Sequence, residues 1–286
     1  MIVLRELQHQ DYDDVVDICK DIWDGLDYLP SILHSWIDDK EGVFIGAVDS
    51  ETNKVIGTNK YSILADGTGW LEGIRIHKDY RGRKIAKLLT ERVLECSTKD
   101  LKSGKIQRIA FATHRSSVES INMMKQYNFH IEQQHIIALK EIEKLDSSIR
   151  ESDFCVKPWD ITYEEFVNLP FTARRNGIFH IAFYFQKPTM AFYHYLKEHD
   201  CFVNINGYNG IYLYKGEPHF VTEVESFQAI DTFMNYYLLT LKDISSNGSP
   251  LISVMEGDID LIEKLKAADY ETWTDWQSDY YYFVMK

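Results

Sequence analysis

Apolar positions over residues 1–140 alternate between strand spacing and helical spacing. Period-two runs predict strands over residues 2–7, 43–48, 55–64, 70–77, 107–113 and 129–140. Apolar positions at helical intervals predict helices at 15–22, from 31 onward, at 85–98 and at 116–127. The resulting order, β-α-α-β-β-β-α-β-α-β, predicts an α+β or mixed α/β fold and argues against a doubly wound repeat.

A charged stretch over residues 140–153 separates this series of elements from a second one. Beyond it we predict helices at 161–168, 191–197, 227–242 and 258–267, and strands at 178–185, 201–206, 211–215, 219–225, 251–255 and 279–285. From residue 201 onward the order of strands, helix, strand, helix and strand repeats that of the first series. We therefore predict two domains, over residues 1–141 and 154–286, and hypothesise a diverged internal duplication.

Composition narrows the class of protein. The length of 286 residues suits two cores, and 45% apolar residues make burial easy. The net charge of −13 argues against nucleic acid or an anionic membrane as a partner, and it could favour cationic substrates such as amines. The four cysteines are widely spaced, so we expect no metal site. Without a signal-peptide pattern or a long apolar run, we expect a soluble, cytoplasmic protein.

Residues 80–87 form a basic turn between a predicted strand and a predicted helix. Its four cations are Arg81, Arg83, Lys84 and Lys87. Cations at the start of a helix are unfavourable unless an anion binds there, and exposed amides with clustered cations make a phosphate site. A solvated basic turn is the alternative. The corresponding turn at 225–227 carries no cation cluster, so we expect one phosphate site per chain.

The motif at this turn resembles the signature of the GNAT N-acetyltransferase superfamily, a strand followed by R/Q-x-x-G-x-G/A and a helix. Arg81 and Ala86 match, whereas Lys84 stands where glycine is usual. A weaker match runs from Ser117 to Phe129, with Asn128 at a glycine position. The runs 26–30, 34–36 and 71–76 resemble the histidine N-acetyltransferase-like branch.

The resemblance implies a GNAT lobe with a splayed central sheet, followed by a second, degenerate GNAT-like lobe. It also implies acetyl-CoA as the cofactor and the α-amine of a small amino acid as the acceptor. The cofactor residues it implies are the strand Ile74, Arg75 and Ile76, the turn and helix start Arg81, Gly82, Arg83, Lys84, Ile85, Ala86 and Lys87, and Ser117.

Transfer of an acetyl group to an amine needs a base for the amine proton, and Glu72 is the best candidate. Period-two counting places Glu72 with Ile74 and Ile76 on one strand face and Arg75 on the other. A structural carboxylate is the alternative reading of Glu72. The family's usual acid, a tyrosine, is replaced by Met124, so the acid role falls to Tyr127, to a water or to no group.

Further candidates lie outside this strand. His114, at the end of a strand, could face the cleft as a catalytic residue, or it could be a solvated residue at the strand end. In the loop before the second helix, Asp24, Asp27 and Tyr28 could bind an ammonium or an imidazole, or the aspartates could be ordinary turn caps. Two alternatives to a small-molecule enzyme stay open: a non-catalytic acyl-CoA sensor or scaffold, and a protein or peptide N-acetyltransferase.

Overall fold

The computed structural model describes residues 1–140, 148–181, 183–214, 217–223, 226–240 and 252–286. The chain divides into two compact units. Unit 1 comprises Met1–Phe111, Asn122–His130 and Val284–Lys286, and unit 2 comprises Ala112–Ile121 and Ile131–Phe283. The predicted domain boundary at 141–154 stays a prediction, since it falls partly outside the described residues.

The strands are β1 Ile2–Glu6, β2 Val43–Asp49, β3 Lys54–Ile63, β4 Thr68–Ile76, β5 Arg108–His114, β6 Phe129–Leu139, β7 Val156–Pro158, β8 Phe179–Ile181, β9 Tyr184–Gln186, β10 Phe202–Ile205, β11 Tyr208–Tyr214, β12 Glu217–Thr222, β13 Ile252–Met255, β14 Glu271–Thr272 and β15 Tyr280–Met285. The α-helices are α1 Tyr12–Cys19, α2 Leu29–Asp38, α3 Ile85–Ser103, α4 Val118–Lys125, α5 Tyr163–Val167, α6 Pro170–Ala173, α7 Met190–Glu198, α8 Phe227–Thr240 and α9 Ile259–Ala267. The predicted α+β class is confirmed. The predicted ends at 215, 224–225, 241–242 and 251 lie outside the described residues.

In unit 1 the strands follow the order β1-β2-β3-β4-β5. The first four pair antiparallel, while β4 and β5 pair in parallel through residues 68–70 and 108–110. Helices α1 and α2 cover one face of this sheet, where Val15, Leu33 and Trp36 pack against Phe44 and Val55. Helix α3 covers the other face, since the Tyr61 hydroxyl donates to Asp100 of that helix. Both faces are therefore buried, and the site lies along β4.

A β-bulge interrupts β4 at Gly73. Glu72 pairs with Lys60 and Arg75 pairs with Thr58, so β4 has one more residue than β3 in this interval. Gly73 has a φ of +69°, and its carbonyl accepts a hydrogen bond of 2.8 Å from the Thr58 hydroxyl. A β-carbon at Gly73 would lie 2.4 Å from Cζ3 of Trp36. Backbone conformation and space therefore both require glycine here.

Unit 2 contains three groups of paired strands. Within this unit β6 lies between β15 and β13 and also pairs with β14, while β12-β11-β10-β7 form a second sheet. The predicted single strand at 178–185 is wrong: β8 and β9 are two short strands that pair antiparallel. The helix α6 and the strands β7 and β14 were not predicted.

Candidate active site

The bulge at Gly73 changes which residues of β4 share a face. Thr58 and Lys60 are two residues apart on regular strand, so their partners Arg75 and Glu72 project from the same face of the sheet. Ile76 lies on the opposite face, because a β-carbon at its partner Gly57 would contact both Ile76 and Leu89 of α3. The predicted pairing of Glu72 with Ile76 on one face, with Arg75 opposite, is therefore wrong. Period-two counting fails across an inserted residue.

Glu72 lies half-buried on the face that α2 covers. Its Oε1 accepts a hydrogen bond of 2.6 Å from the Ser62 hydroxyl, across the strand pair. On the same face, the fully buried Lys60 is paired with Asp39. The hydroxyl fixes the orientation of the Glu72 carboxylate, and a carboxylate held in this way can accept a proton from an amine.

Arg75 is held in a fixed position by a carboxylate and two aromatic rings. Its Nε and Nη2 donate to the two carboxylate oxygens of Asp27 at 2.6 and 3.1 Å, and Nη1 donates to the Ile74 carbonyl. The guanidinium carbon lies 5.1 Å from the ring centre of Trp23 and 5.6 Å from that of Tyr28. Burial opposes the charges, but the bidentate pair lowers the pKa of Asp27 and raises the pKa of Arg75. Both groups therefore stay ionised at neutral pH.

The loop that carries these aromatic residues has an unusual backbone. Trp23 and Asp24 have φ angles of +47° and +56°, and Gly25 follows with +85°. Such angles are uncommon for residues other than glycine, and consecutive ones cluster at functional sites. The Trp23 and Tyr28 rings stack with centroids 6.2 Å apart and are 60% and 44% exposed. An acceptor molecule can reach both rings from solvent.

The three predicted substrate residues differ in their surroundings. Asp24 is exposed, whereas Asp27 is buried with its charge matched by Arg75. Desolvation raises the pKa of Tyr28, so its hydroxyl is protonated near Arg75 and Glu72. Asp27 therefore has a positioning contact that the sequence did not reveal. That these residues bind substrate stays a prediction.

The basic turn joins β4 to α3. Its four cations are exposed, and Lys84 is the residue immediately before the helix, with a φ of +60°. Arg81 donates to the Ile76 carbonyl, Arg83 donates to the Asp79 carbonyl, and Lys87 lies 3.7 Å from Glu91. Because α3 begins at Ile85, the N–H groups of Ile85, Ala86 and Lys87 have no acceptor within the helix. Gly82, with a φ of +75°, gives the turn its bend.

Tyr127 lies close to this helix start in unit 1. Its hydroxyl is 3.1 Å from Oε1 of Glu91, to which it donates, and burial and this hydrogen bond raise its pKa. The hydroxyl is therefore protonated at neutral pH. Met124, at the position where the family has its acidic tyrosine, is buried.

Two predicted residues belong to unit 2. His114 ends β5; its Nδ1 lies 2.7 Å from the Ser116 hydroxyl, and its ring meets Trp273 edge-on. Its buried Nε2 has no hydrogen-bond partner among the described residues. Ser117 lies just before α4, and its carbonyl accepts from Ile121. The catalytic role of His114 and the cofactor role of Ser117 stay predictions.

Sequence reasoning missed the residues that orient the predicted ones. Ser62 and Trp23 carried no motif that marked them as partners of Glu72 and Arg75. Gly73 did carry a signal, because an isolated glycine inside a strand pattern indicates a bulge. Across the described ranges, no cluster of metal-ligating side chains is present, and none of the helices there has the length and apolar character of a membrane span.

In unit 1 the fourth strand of a mixed sheet leads through a basic turn into a long helix. This is the order of strand, basic turn and helix that the acetyltransferase signature predicts. Residues 4–129 match the model of the acetyltransferase (GNAT) family. The predicted resemblance to this family is therefore confirmed over residues 4–129.

Among curated proteins, the chain is 33% identical over 101 residues to a histidine N-acetyltransferase of Xenopus tropicalis, covering 35% of this chain and 31% of the relative. It is 35% identical over 81 residues to that of Oreochromis niloticus, covering 28% and 23%. The match thus spans less than a third of each relative's length.

Two solved structures resemble the whole chain. A candidate acetyltransferase from Thermoplasma acidophilum has a TM-score of 0.58 at 16% identity and covers 99% of both chains. One from Pyrococcus horikoshii has a TM-score of 0.57 at 13% identity, covering 99% of this chain and 89% of its own. At such identities the likeness concerns the fold alone, and it extends over both units.

Proposed function

We propose that the protein is an acetyl-CoA-dependent N-acetyltransferase that moves an acetyl group, by direct attack, onto the amine of a small molecule. The α-amine of an amino acid such as histidine is the favoured acceptor, because the curated relatives are named histidine N-acetyltransferases. The observation that carries the proposal is the segment 71–87. This segment contains, in order, the Glu72 carboxylate, the edge of β4 at Ile74–Ile76 and the basic turn at the start of α3.

The residues of this segment fit coenzyme A. Among the described residues of unit 1, β4 is paired with β5 only through residues 68–70, so no strand of this unit pairs with Ile74–Ile76 on that edge, although the Ile74 and Ile76 carbonyls accept from the side chains of Arg75 and Arg81. The pantetheine arm would pair with this edge as an additional strand. The N–H groups of residues 85–87 would hold the pyrophosphate. Arg81, Arg83 and Lys84 would add positive charge. When bound, acetyl-CoA supplies the activated thioester.

Glu72 is the proposed general base. The amine nitrogen loses its proton to the carboxylate, directly or through one water, and then attacks the acetyl carbon. Ser62 keeps the carboxylate oriented during this transfer. As the C–N bond forms, the C–S bond breaks and coenzyme A leaves as a thiolate, which takes a proton from water. Tyr127 donates to Glu91 and is not assigned as the acid in this scheme.

The test measures release of free thiol from acetyl-CoA in the presence of amino acids, polyamines or peptides. We expect an amine-dependent rate for the chain, and we expect Glu72→Gln to lower that rate by about 10²–10⁴. Glu95→Gln is the matched control, because Glu95 is an exposed residue of α3 that pairs with Arg92, and it should leave the rate unchanged.

Other outcomes separate the alternatives. Tight binding of coenzyme A without thiol release for any amine would refute the enzyme and support a non-catalytic sensor. Release with peptides but not with free amino acids would identify a peptide N-acetyltransferase. An unchanged rate in the Glu72→Gln variant would remove the base assignment alone.

A further inference from the structure

The guanidinium of Arg75 has unused hydrogen-bonding capacity. An arginine carries five N–H donors. Nε and one donor of Nη2 bind Asp27, and one donor of Nη1 binds the Ile74 carbonyl. Arg75 also donates to the Tyr28 hydroxyl, so one donor of the guanidinium remains, and a charged donor of this kind binds a carboxylate oxygen strongly.

The surroundings of Arg75 prepare it for an anion from solution. Its side chain is only 12% exposed, so a hydrogen bond to it is weakly screened by water. Asp27, Trp23 and Tyr28 hold the guanidinium plane in one orientation, so little side-chain freedom is lost on binding. The exposed Trp23 and Tyr28 rings border the remaining accessible surface.

The distance from Arg75 to Glu72 suits a zwitterion. The two residues pair with Thr58 and Lys60, which are two positions apart on β3, so their backbones are separated by about 6.6 Å. An α-amino acid carries its ammonium and its carboxylate on one carbon atom. Such a molecule can present its amine to Glu72 and its carboxylate to Arg75 at once. Without the bulge at Gly73, the two side chains would project from opposite faces.

We propose that Arg75 binds the α-carboxylate of the acceptor, so that the protein selects free α-amino acids over amines that lack this group. This inference rests on the proposed function. Arg75 is then a substrate-binding residue that determines specificity, and Asp27 is the residue that positions it.

The experiment compares acceptors that differ only in the carboxylate. Thiol release from acetyl-CoA is measured with L-histidine, L-histidinamide and histamine, and with other amino acids and their amides. The less basic amine of an amide is more readily deprotonated, so the chemistry alone favours the amide. We expect kcat/KM to be about 10–100-fold higher for the amino acid, as for a charged hydrogen bond.

Arg75→Lys provides the second measurement. Lysine keeps the charge but loses the planar guanidinium that Asp27, Trp23 and Tyr28 hold in place, so we expect KM for the amino acid to rise until the preference over the amide disappears. Arg5→Lys is the matched control, because Arg5 forms a similar bidentate pair with Asp11 at 2.7 and 2.8 Å on β1, and the preference should persist.

The outcomes distinguish the two proposals. Turnover of amides or amines equal to or faster than that of amino acids would overturn the role of Arg75 while leaving the acetyltransferase intact. An Arg75→Lys variant that keeps the preference would also overturn it. No turnover of any acceptor would refute the proposed function itself, and the inference with it.

Discussion

Replacing Gly73 with alanine tests the bulge that brings Glu72 and Arg75 to one face of the sheet. The φ of +69° at Gly73 costs a residue with a β-carbon about 1–2 kcal/mol. The added carbon would also lie 2.4 Å from Cζ3 and 3.0 Å from Cη2 of Trp36. The Trp36 ring is held edge-on against Phe44, at 5.2 Å, and Tyr28, at 6.4 Å, so it has little room to move.

Overpacking of this kind costs about 1–3 kcal/mol, so we expect Gly73→Ala to lower the free energy of unfolding by about 2–5 kcal/mol in total. Urea unfolding followed by tryptophan fluorescence measures the change. Gly104→Ala is the matched control, because Gly104 has a φ of +78° and a β-carbon there would meet nothing within 4 Å. That control should lose only the backbone part, about 1–2 kcal/mol.

The substitution Trp36→Leu tests whether the additional loss of stability in Gly73→Ala comes from the contact with the Trp36 ring. In the Trp36→Leu background, Gly73→Ala should cost little more than Gly104→Ala, because the clashing ring is absent. Equal losses for Gly73→Ala and Gly104→Ala in the natural background would refute the close contact. A loss that persists undiminished in the Trp36→Leu background would show that the strain lies in the backbone and not against α2.

Two further predictions concern the basic turn and unit 2. Lys84 adopts a φ of +60°, so Lys84→Gly should raise the free energy of unfolding by up to about 1 kcal/mol. The same variant should bind coenzyme A more weakly in calorimetry, because it loses the ammonium. Lys84→Ala should also weaken binding but should bring no gain in stability. Burial and the charge of Arg175 lower the pKa of His135 to about 3, so an unfolded chain binds a proton near pH 6.5 that the folded chain does not. Stability should therefore fall as the pH drops below 6.5, by about 1.4 kcal/mol per pH unit for this histidine in denaturant titrations. His135→Asn should remove this part of the slope and leave the part due to His180, whose pKa burial also lowers.

Much of the structure over the first 140 residues could be predicted because most of its elements follow one period. The strands β1, β2, β3, β5 and β6 and the helix α3 appear close to the predicted positions, since their apolar positions alternate or recur at helical spacing. The start of α2 was displaced. It begins at Leu29 with Pro30 in its first turn, where proline favours a helix start, and not near Ser31.

The face of Arg75 could not be obtained by counting, because a bulge shifts the period by one residue and leaves the sequence otherwise regular. Partners from distant segments were equally hidden: Asp27 and Arg75 are 48 residues apart, and nothing local links them. In unit 2, the largely apolar character of residues 178–185 concealed the division into β8 and β9. Helix α6 has only four residues, too short for a periodic signal.

Gly73, Asn128 and Lys84 all have a positive φ, but the residue type at each position has a different explanation. Gly73 is glycine, and its surroundings admit nothing larger. Asn128 has a φ of +63° at a position where the family has glycine, and asparagine tolerates this conformation better than most residues. Lys84 also occupies a glycine position at +60°, but lysine gains nothing there from its backbone and loses about 1 kcal/mol. Its exposed ammonium has no carboxylate within ion-pair distance among the described residues, and an anion bound at the start of α3, as we propose for coenzyme A, would compensate for this loss.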